Sequence, residues 1–153
     1  MADPLRPGAV IDILGGGQLG RMLSVAAARL GYRCHVYDPA PQPPAADVAW
    51  RCTTAAFDDP EALGAFAASV DVVTYEFENV PAAALDLVER RVPIRPNRGA
   101  LAVSQDRLDE KDFLASLGIA TAPYAPVDNA GDLAAPLLAI GVPAILKTRR
   151  FGY

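Results

Sequence analysis

The stretch Ala9-Val10-Ile11-Asp12-Ile13-Leu14-Gly15-Gly16-Gly17-Gln18-Leu19-Gly20-Arg21-Met22 decides the architecture. Its first six residues form a short, mostly apolar run, and such a run ending in glycines fits a buried strand closed by a tight turn. A helix follows. Leu19, Met22, Leu23, Ala26, Ala27 and Leu30 recur at spacings of three and four, and Gly31 stands where helices often end in a left-handed residue. Arg33 to Tyr37 then alternates into a second strand, closed by Asp38-Pro39 and the loop Ala40-Pro41-Gln42-Pro43-Pro44. Strand, helix and strand around a tight first turn make a βαβ unit, so the sequence predicts an α/β fold, a doubly wound parallel sheet.

Working outward, the pattern repeats more loosely. Pro60 opens a helix with Leu63, Phe66 and Ala67 on one face, and Asp71-Val72-Val73-Thr74-Tyr75 reads as another strand. Pro81 opens a further helix through Leu85 and Val88; Val92-Pro93-Ile94-Arg95-Pro96 is a short strand at best, because its prolines cannot donate to a ladder. Ser104 is a plausible N-cap for a helix carrying Leu108, Phe113, Leu114 and Leu117 and stopping at Gly118. Pro123 and Pro126 suggest an extended linker before a weaker helix near Leu133 to Ile140, and Ala144-Ile145-Leu146-Lys147 reads as a final strand. The ending at Phe151-Gly152-Tyr153 is abrupt, which suggests the front part of something longer, with a boundary near residues 99 to 104.

Composition narrows the function classes. The 153 residues are 52% hydrophobic and 21% charged, the usage of a chain with a real core. A net charge of -4 without a cationic tract gives a nucleic-acid backbone little to bind. Cys34 and Cys52 have no CxxC pattern and His35 is the single histidine, which argues against a metal centre or a disulfide framework. The N-terminus lacks the order of a signal peptide and no apolar run reaches the roughly 18 residues of a membrane span, so a cytoplasmic protein without membrane contact is expected. His35 and Trp50 are read as structural.

Gly15, Gly17 and Gly20 satisfy G-x-G-x-x-G directly after a strand and at the start of a helix. There the backbone can approach an anion, and the free N–H groups and dipole of the helix favour negative charge. Asp38, eighteen residues after Gly20, lies where a dinucleotide-binding protein places its ribose acid. A nicotinamide-dependent oxidoreductase is therefore one reading, and glycines that merely permit close strand-to-helix packing is another. The loop argues for an anionic group rather than for one ligand.

Longer strings are more specific. Gly15-Gly16-Gly17-Gln18-Leu19-Gly20-Arg21-Met22, Asp71-Val72-Val73-Thr74-Tyr75-Glu76-Phe77-Glu78-Asn79-Val80-Pro81, Gln105-Asp106-Arg107-Leu108-Asp109-Glu110-Lys111 and Ile145-Leu146-Lys147-Thr148-Arg149-Arg150-Phe151-Gly152-Tyr153 together resemble the N5-carboxyaminoimidazole ribonucleotide synthases, ATP-grasp enzymes of purine biosynthesis. The resemblance implies a Rossmann-like pre-ATP-grasp domain over residues 1–104 and the start of an ATP-grasp domain over 105–153. It implies a ligase in which ATP phosphorylates bicarbonate to carboxyphosphate and the carboxyl passes to the exocyclic amine of 5-aminoimidazole ribonucleotide. It further implies Mg2+, with ligands beyond Tyr153, and a homodimer at full length; the 153 residues alone are expected to be inactive. The formate-dependent glycinamide ribonucleotide transformylases have a similar architecture, but the Tyr75-to-Pro81 string favours the carboxylating enzymes.

By the same resemblance, Gly15, Gly17, Gln18, Leu19 and Gly20 face the ribose 5-phosphate region of the substrate, and Glu76 accepts from ribose hydroxyls or the imidazole amine. Glu78 and Asn79 are read as structural. Arg107 and Lys147 are the expected ATP contacts. Lys147 has a reason of its own, since an ammonium within an apolar strand is costly unless a phosphate or similar anion meets it. No catalytic residue and no metal ligand is assigned within the chain.

Overall fold

A computed structural model describes residues 4–151. The chain divides into two compact units, Met1–Leu101 and Ala102–Tyr153. The first is built on a four-stranded sheet of β1 (Val10–Leu14), β2 (Arg33–Asp38), β3 (Arg51–Thr54) and β4 (Val72–Tyr75), ordered β3-β2-β1-β4. Every pairing is parallel: Val10 to Leu14 of β1 lie opposite Arg33 to Tyr37 of β2, and Ile11 to Leu14 lie opposite Val72 to Tyr75 of β4. Ile94 adds one parallel bridge to Val73 on the outer side of β4. The two prolines around it confine the pairing to Val73 N–H on Pro93 O and Arg95 N–H on Val73 O.

Helices α1 (Gln18–Arg29), α2 (Pro60–Ala67) and α3 (Ala82–Glu89) make the crossovers. α2 begins at Asp59, whose carboxylate accepts from the N–H groups of Glu61 and Ala62, with Pro60 in the first turn where its missing N–H costs nothing. Leu63, Phe66 and Ala67 of α2 and Ala84, Leu85 and Val88 of α3 are buried with Leu14, Tyr37 and Val73 in the larger core cluster. The smaller cluster, Ile13, Cys34, Val36 and Ala45, lies apart from it.

α1 departs from its sequence pattern. Its buried residues are Gly20 and Ser24, whereas Leu19 is 61% exposed, Met22 60% and Leu30 68%. Small side chains, Ala27 of the pattern among them, let the helix lie close on the sheet, and the large apolar side chains face away. β3 carries Arg51-Cys52-Thr53-Thr54, too polar and short for the sequence to announce, yet it pairs with His35 to Asp38 as an edge strand.

In the second unit, α5 (Arg107–Ser116) is preceded by α4 (Arg98–Ser104), within which the units divide. Ser104 is therefore the last residue of α4 rather than an N-cap. The cap is Asp106, whose Oδ1 accepts from Leu108 N–H at 2.9 Å. α6 (Ala134–Ile140) covers the weaker expected helix. The expected strand at Ala144 to Lys147 does not form: no strand occurs from 141 to 151, and each of those residues is exposed. A strand is stabilised by ladder partners, and among the described residues of this unit there is no strand to supply them.

Candidate functional site

In a parallel sheet ordered β3-β2-β1-β4, the chain leaves β1 toward β2 on one side and reaches β4 on the other, so the C-terminal ends of β1 and β4 flank the topological switch point. The glycine loop follows β1 and Glu76 follows β4. Glu76 N–H and Phe77 N–H both donate to Leu14 O, at 2.9 and 3.2 Å, which folds the end of β4 across the end of β1.

That crossing brings the Glu76 carboxylate onto the loop. A Cβ on Gly15 would stand 2.6 Å from Glu76 Oε2 and 2.8 Å from the Phe77 backbone nitrogen; one on Gly17 would stand 2.7 Å from Glu76 Oε1. Gly15 also holds φ 103°, a conformation that side chains disfavour. Gly15 is thus required by the close approach of the Glu76 segment, and Gly17 leaves room for the end of the Glu76 side chain. Gly20 is buried at the first turn of α1 against Gly15 O.

The loop's polar groups divide clearly. Gly15 N–H donates to Tyr37 O at 2.9 Å, Gly16 N–H to Asp38 Oδ2 at 2.7 Å, and Arg21 N–H to Gly17 O at 3.0 Å. α1 has no side-chain N-cap and no acidic residue in its first turn. The N–H groups of residues 17 to 20 consequently have no backbone or capping acceptor among the described residues. Free N–H groups at a helix N-terminus are suited to an anion.

Asp38 has a structural role. Its Oδ2 holds Gly16 N–H and its Oδ1 accepts from Ala40 N–H at 2.7 Å, so both oxygens brace the loop and the turn after β2. Sequence spacing alone could not separate this role from a ribose contact. Sequence reading also missed Phe77 and Phe57, whose rings stack at 5.7 Å and 12° beside Glu76, with Phe77 39% exposed. The visible signal was an aromatic directly after the acid at a strand end. In the same segment, Asn79 Oδ1 is buried without a donor.

Two polar residues sit deeper in the sheet. Asp12 is fully buried, neither carboxylate oxygen has a partner, and burial raises its pKa well above the ordinary 3.8. Its register partner His35 bonds Thr53 Oγ1 at 2.8 Å and Ser69 Oγ at 3.2 Å, and burial, with the Arg51 charge nearby, lowers it from 6.5 to about 4.

In the second unit, the Arg107 guanidinium pairs with Glu110 one turn along α5, and its backbone N–H donates to Arg149 O at 2.8 Å. Lys147 is exposed and has no ion pair among the described residues, so the cost of a buried ammonium does not apply to it. No cluster of three or more His, Cys, Asp or Glu suited to a metal ion occurs among the described residues. No helix there is long and apolar enough to cross a membrane.

Comparison with known proteins follows the same lines. The ribonucleotide synthetase preATP-grasp domain family matches residues 9–105. An N5-carboxyaminoimidazole ribonucleotide synthase of Brucella melitensis is 52% identical over 149 residues, which is 97% of this chain and 41% of that protein. The crystal structure of N5-carboxyaminoimidazole ribonucleotide synthetase from Thermus thermophilus superposes with TM-score 0.84 at 48% identity, covering 94% of this chain and 39% of that one. The Aspergillus clavatus N5-carboxyaminoimidazole synthase, solved with ADP and 5-aminoimidazole ribonucleotide, gives TM-score 0.82 at 33% identity over 95% of this chain and 40% of that one. The chain thus spans well under half the length of the relatives it matches.

Proposed function

The chain belongs to the ribonucleotide synthetase pre-ATP-grasp family, and we propose that it is the N-terminal portion of an enzyme that carboxylates 5-aminoimidazole ribonucleotide with ATP and bicarbonate. On this reading residues 1–104 are the pre-ATP-grasp domain, and 105–153 open the ATP-grasp domain. The observation that carries the reading is the Glu76 carboxylate lying against Gly15 and Gly17 at the sheet's switch point, next to N–H groups without acceptors. A ribonucleotide monophosphate needs an anion cradle and a hydrogen-bond acceptor a few ångströms apart, and the two are built here from one crossing.

In this assignment Gly17, Gln18, Leu19 and Gly20 present N–H groups to the 5′-phosphate. Glu76 accepts from a ribose hydroxyl or from the exocyclic amine and fixes its direction. Bicarbonate attacks the γ-phosphorus of ATP and ADP leaves; the amine nitrogen then attacks the carboxyl carbon of carboxyphosphate, the C–O bond to phosphate breaks, and the amine proton is lost. Arg107 and Lys147 are assigned to ATP. Mg2+ would neutralise phosphate charge during transfer, and none of the described residues forms a site suited to hold it. The enzyme is placed in the cytoplasm as a homodimer at full length. The nicotinamide alternative is less favoured, because both Asp38 oxygens already brace the fold.

The test is Glu76→Gln in the full-length enzyme. Loss of a charged hydrogen-bond acceptor is worth about 1.5–3 kcal/mol, so kcat/KM for the ribonucleotide should fall about ten- to a hundredfold while the KM for ATP stays nearly constant. An effect on ATP kinetics alone, or none, removes the assignment.

A further inference from the structure

The segment that carries Lys147 has little to hold it. Residues 141 to 151 are all exposed and form no strand. Among the described residues, the polar contacts of 142–151 with the rest of their unit run through Arg149 and Arg150. Arg149 Nε donates to both oxygens of Asp106 at 3.1 Å, and its Nη2 reaches Asp106 Oδ2 at 3.0 Å. Asp109 and Asp128 stand 3.9 and 3.7 Å from the same guanidinium. The backbone joins in, with Arg107 N–H on Arg149 O at 2.8 Å. Arg150 adds a bond to Gln105 Oε1 at 3.3 Å.

Asp106 therefore has two tasks. It caps α5 through Leu108 N–H, and it receives the planar fork of Arg149. With a side chain only 14% exposed and a guanidinium as its main partner, Asp106 stays ionised below the usual carboxylate range. A lysine would reproduce the charge of Arg149 but not a fork that meets two oxygens at once.

We propose that Arg149 is a positioning residue: its bridge to the cap of α5 docks the Lys147 segment on the helix end where Arg107 begins, so that the two cations are presented to nucleotide phosphate together. The inference rests on the assignment of Arg107 and Lys147 to ATP. Arg149 itself is committed to three carboxylates and acts through its neighbours.

Four variants of the full-length enzyme test it: Arg149→Met, Asp106→Asn, the two combined, and Lys147→Met. Asparagine keeps the cap and loses the charge. Because Arg149 is 44% exposed, the effect is screened, and each single change at the bridge should weaken ATP binding about three- to tenfold with the ribonucleotide KM unchanged. The combined variant should be no worse than either single one, since both remove one interaction. Additive losses, or an Asp106→Asn enzyme with unchanged or tighter ATP binding, would overturn the proposal and make Arg149 a direct phosphate ligand or a bystander. Amide hydrogen exchange of Arg107, whose N–H donates to Arg149 O, supplies a readout independent of ATP: it should speed up in both bridge variants, and no change there sinks the latch. If Lys147→Met leaves ATP affinity intact, the nucleotide assignment fails while the exchange data still judge the bridge.

Discussion

Gly15 and Gly17 lie equally close to Glu76, but a methyl group added at each meets a different neighbour. At Gly15 it meets the Phe77 backbone and must adopt φ 103°, neither of which can yield cheaply; Gly15→Ala is expected to cost about 1–3 kcal/mol of stability, seen in urea denaturation. At Gly17 the nearest atoms all belong to the end of the Glu76 side chain, which can swing away. Gly17→Ala should therefore leave the melting temperature nearly unchanged and, in the full-length enzyme, raise the ribonucleotide KM about tenfold, because the carboxylate is displaced from its place. A variant that melts early with normal KM would place the strain in the backbone instead. Asp12 presents a different single-residue problem. Its pKa is raised on folding, so the folded state holds a proton that the unfolded chain releases above 3.8, and stability drops as pH rises through that window. His35 has the opposite sign: lowered to about 4, it costs stability as pH falls from 6.5 toward 4. The two slopes therefore oppose each other as pH rises from 4 toward 6.5. Asp12→Val removes an unpartnered buried carboxyl from between His35 and Val73, so it should stabilise the chain more at pH 8 than at pH 5 in parallel denaturant titrations. Equal gains at both would show that the carboxyl is not protonated in the fold.

Among the elements, α1 shows most clearly what periodicity does and does not report. Residues 19, 22, 23, 26, 27 and 30 announce a helix correctly, yet the face on the sheet is the narrow one of Gly20, Ser24 and the half-buried Ala27, and the larger side chains of the stripe are open. A spacing of three and four locates a stripe on a cylinder but not the surface it meets. Met22→Gln and Leu23→Gln should accordingly shift stability by no more than about 0.5 kcal/mol, while Ser24→Leu, forced into a buried position 2% exposed, should cost about 1–3 kcal/mol. Urea midpoints decide it, and a large loss at Met22 would mean the stripe is covered. The other misreadings have related causes. β3 was hidden because an edge strand of Arg51 to Thr54 needs little apolar patterning. The Ala144 to Lys147 run showed the reverse, strand-like residues with no ladder beside them. Asp106 rather than Ser104 capped α5 because α4 extends to Ser104. The glycine loop and its meeting with Glu76 were legible, since strand ends of a parallel sheet share an edge; the use of Asp38 to brace Gly16 was not, since it depends on which way a carboxylate turns.

At the scale of the whole chain the two units differ in what they bury. Unit Met1–Leu101 contains both core clusters, including Tyr37, Phe66, Ile13 and Leu14 at 2% exposure or less. From residue 102 to 151 no residue is buried at all, and α5 and α6 have no buried positions. Local opening is governed by buried contacts, and helices of ten and seven residues are marginal without them. The ion pairs of Arg149 with Asp109 and Asp128 are solvent-exposed and add little to that balance. Hydrogen exchange of the 153-residue chain should therefore split. Amides of β1, β2 and α2 are expected to exchange only through global unfolding, slowed by several orders of magnitude, while those of α5 and α6 exchange within about the first minutes at neutral pH. Raising urea should merge nothing in the second group, because it has no shared core to lose. If α5 instead proves as protected as β1, the chain unfolds as one cooperative body, and the absence of burial beyond Leu101 is not what sets its stability.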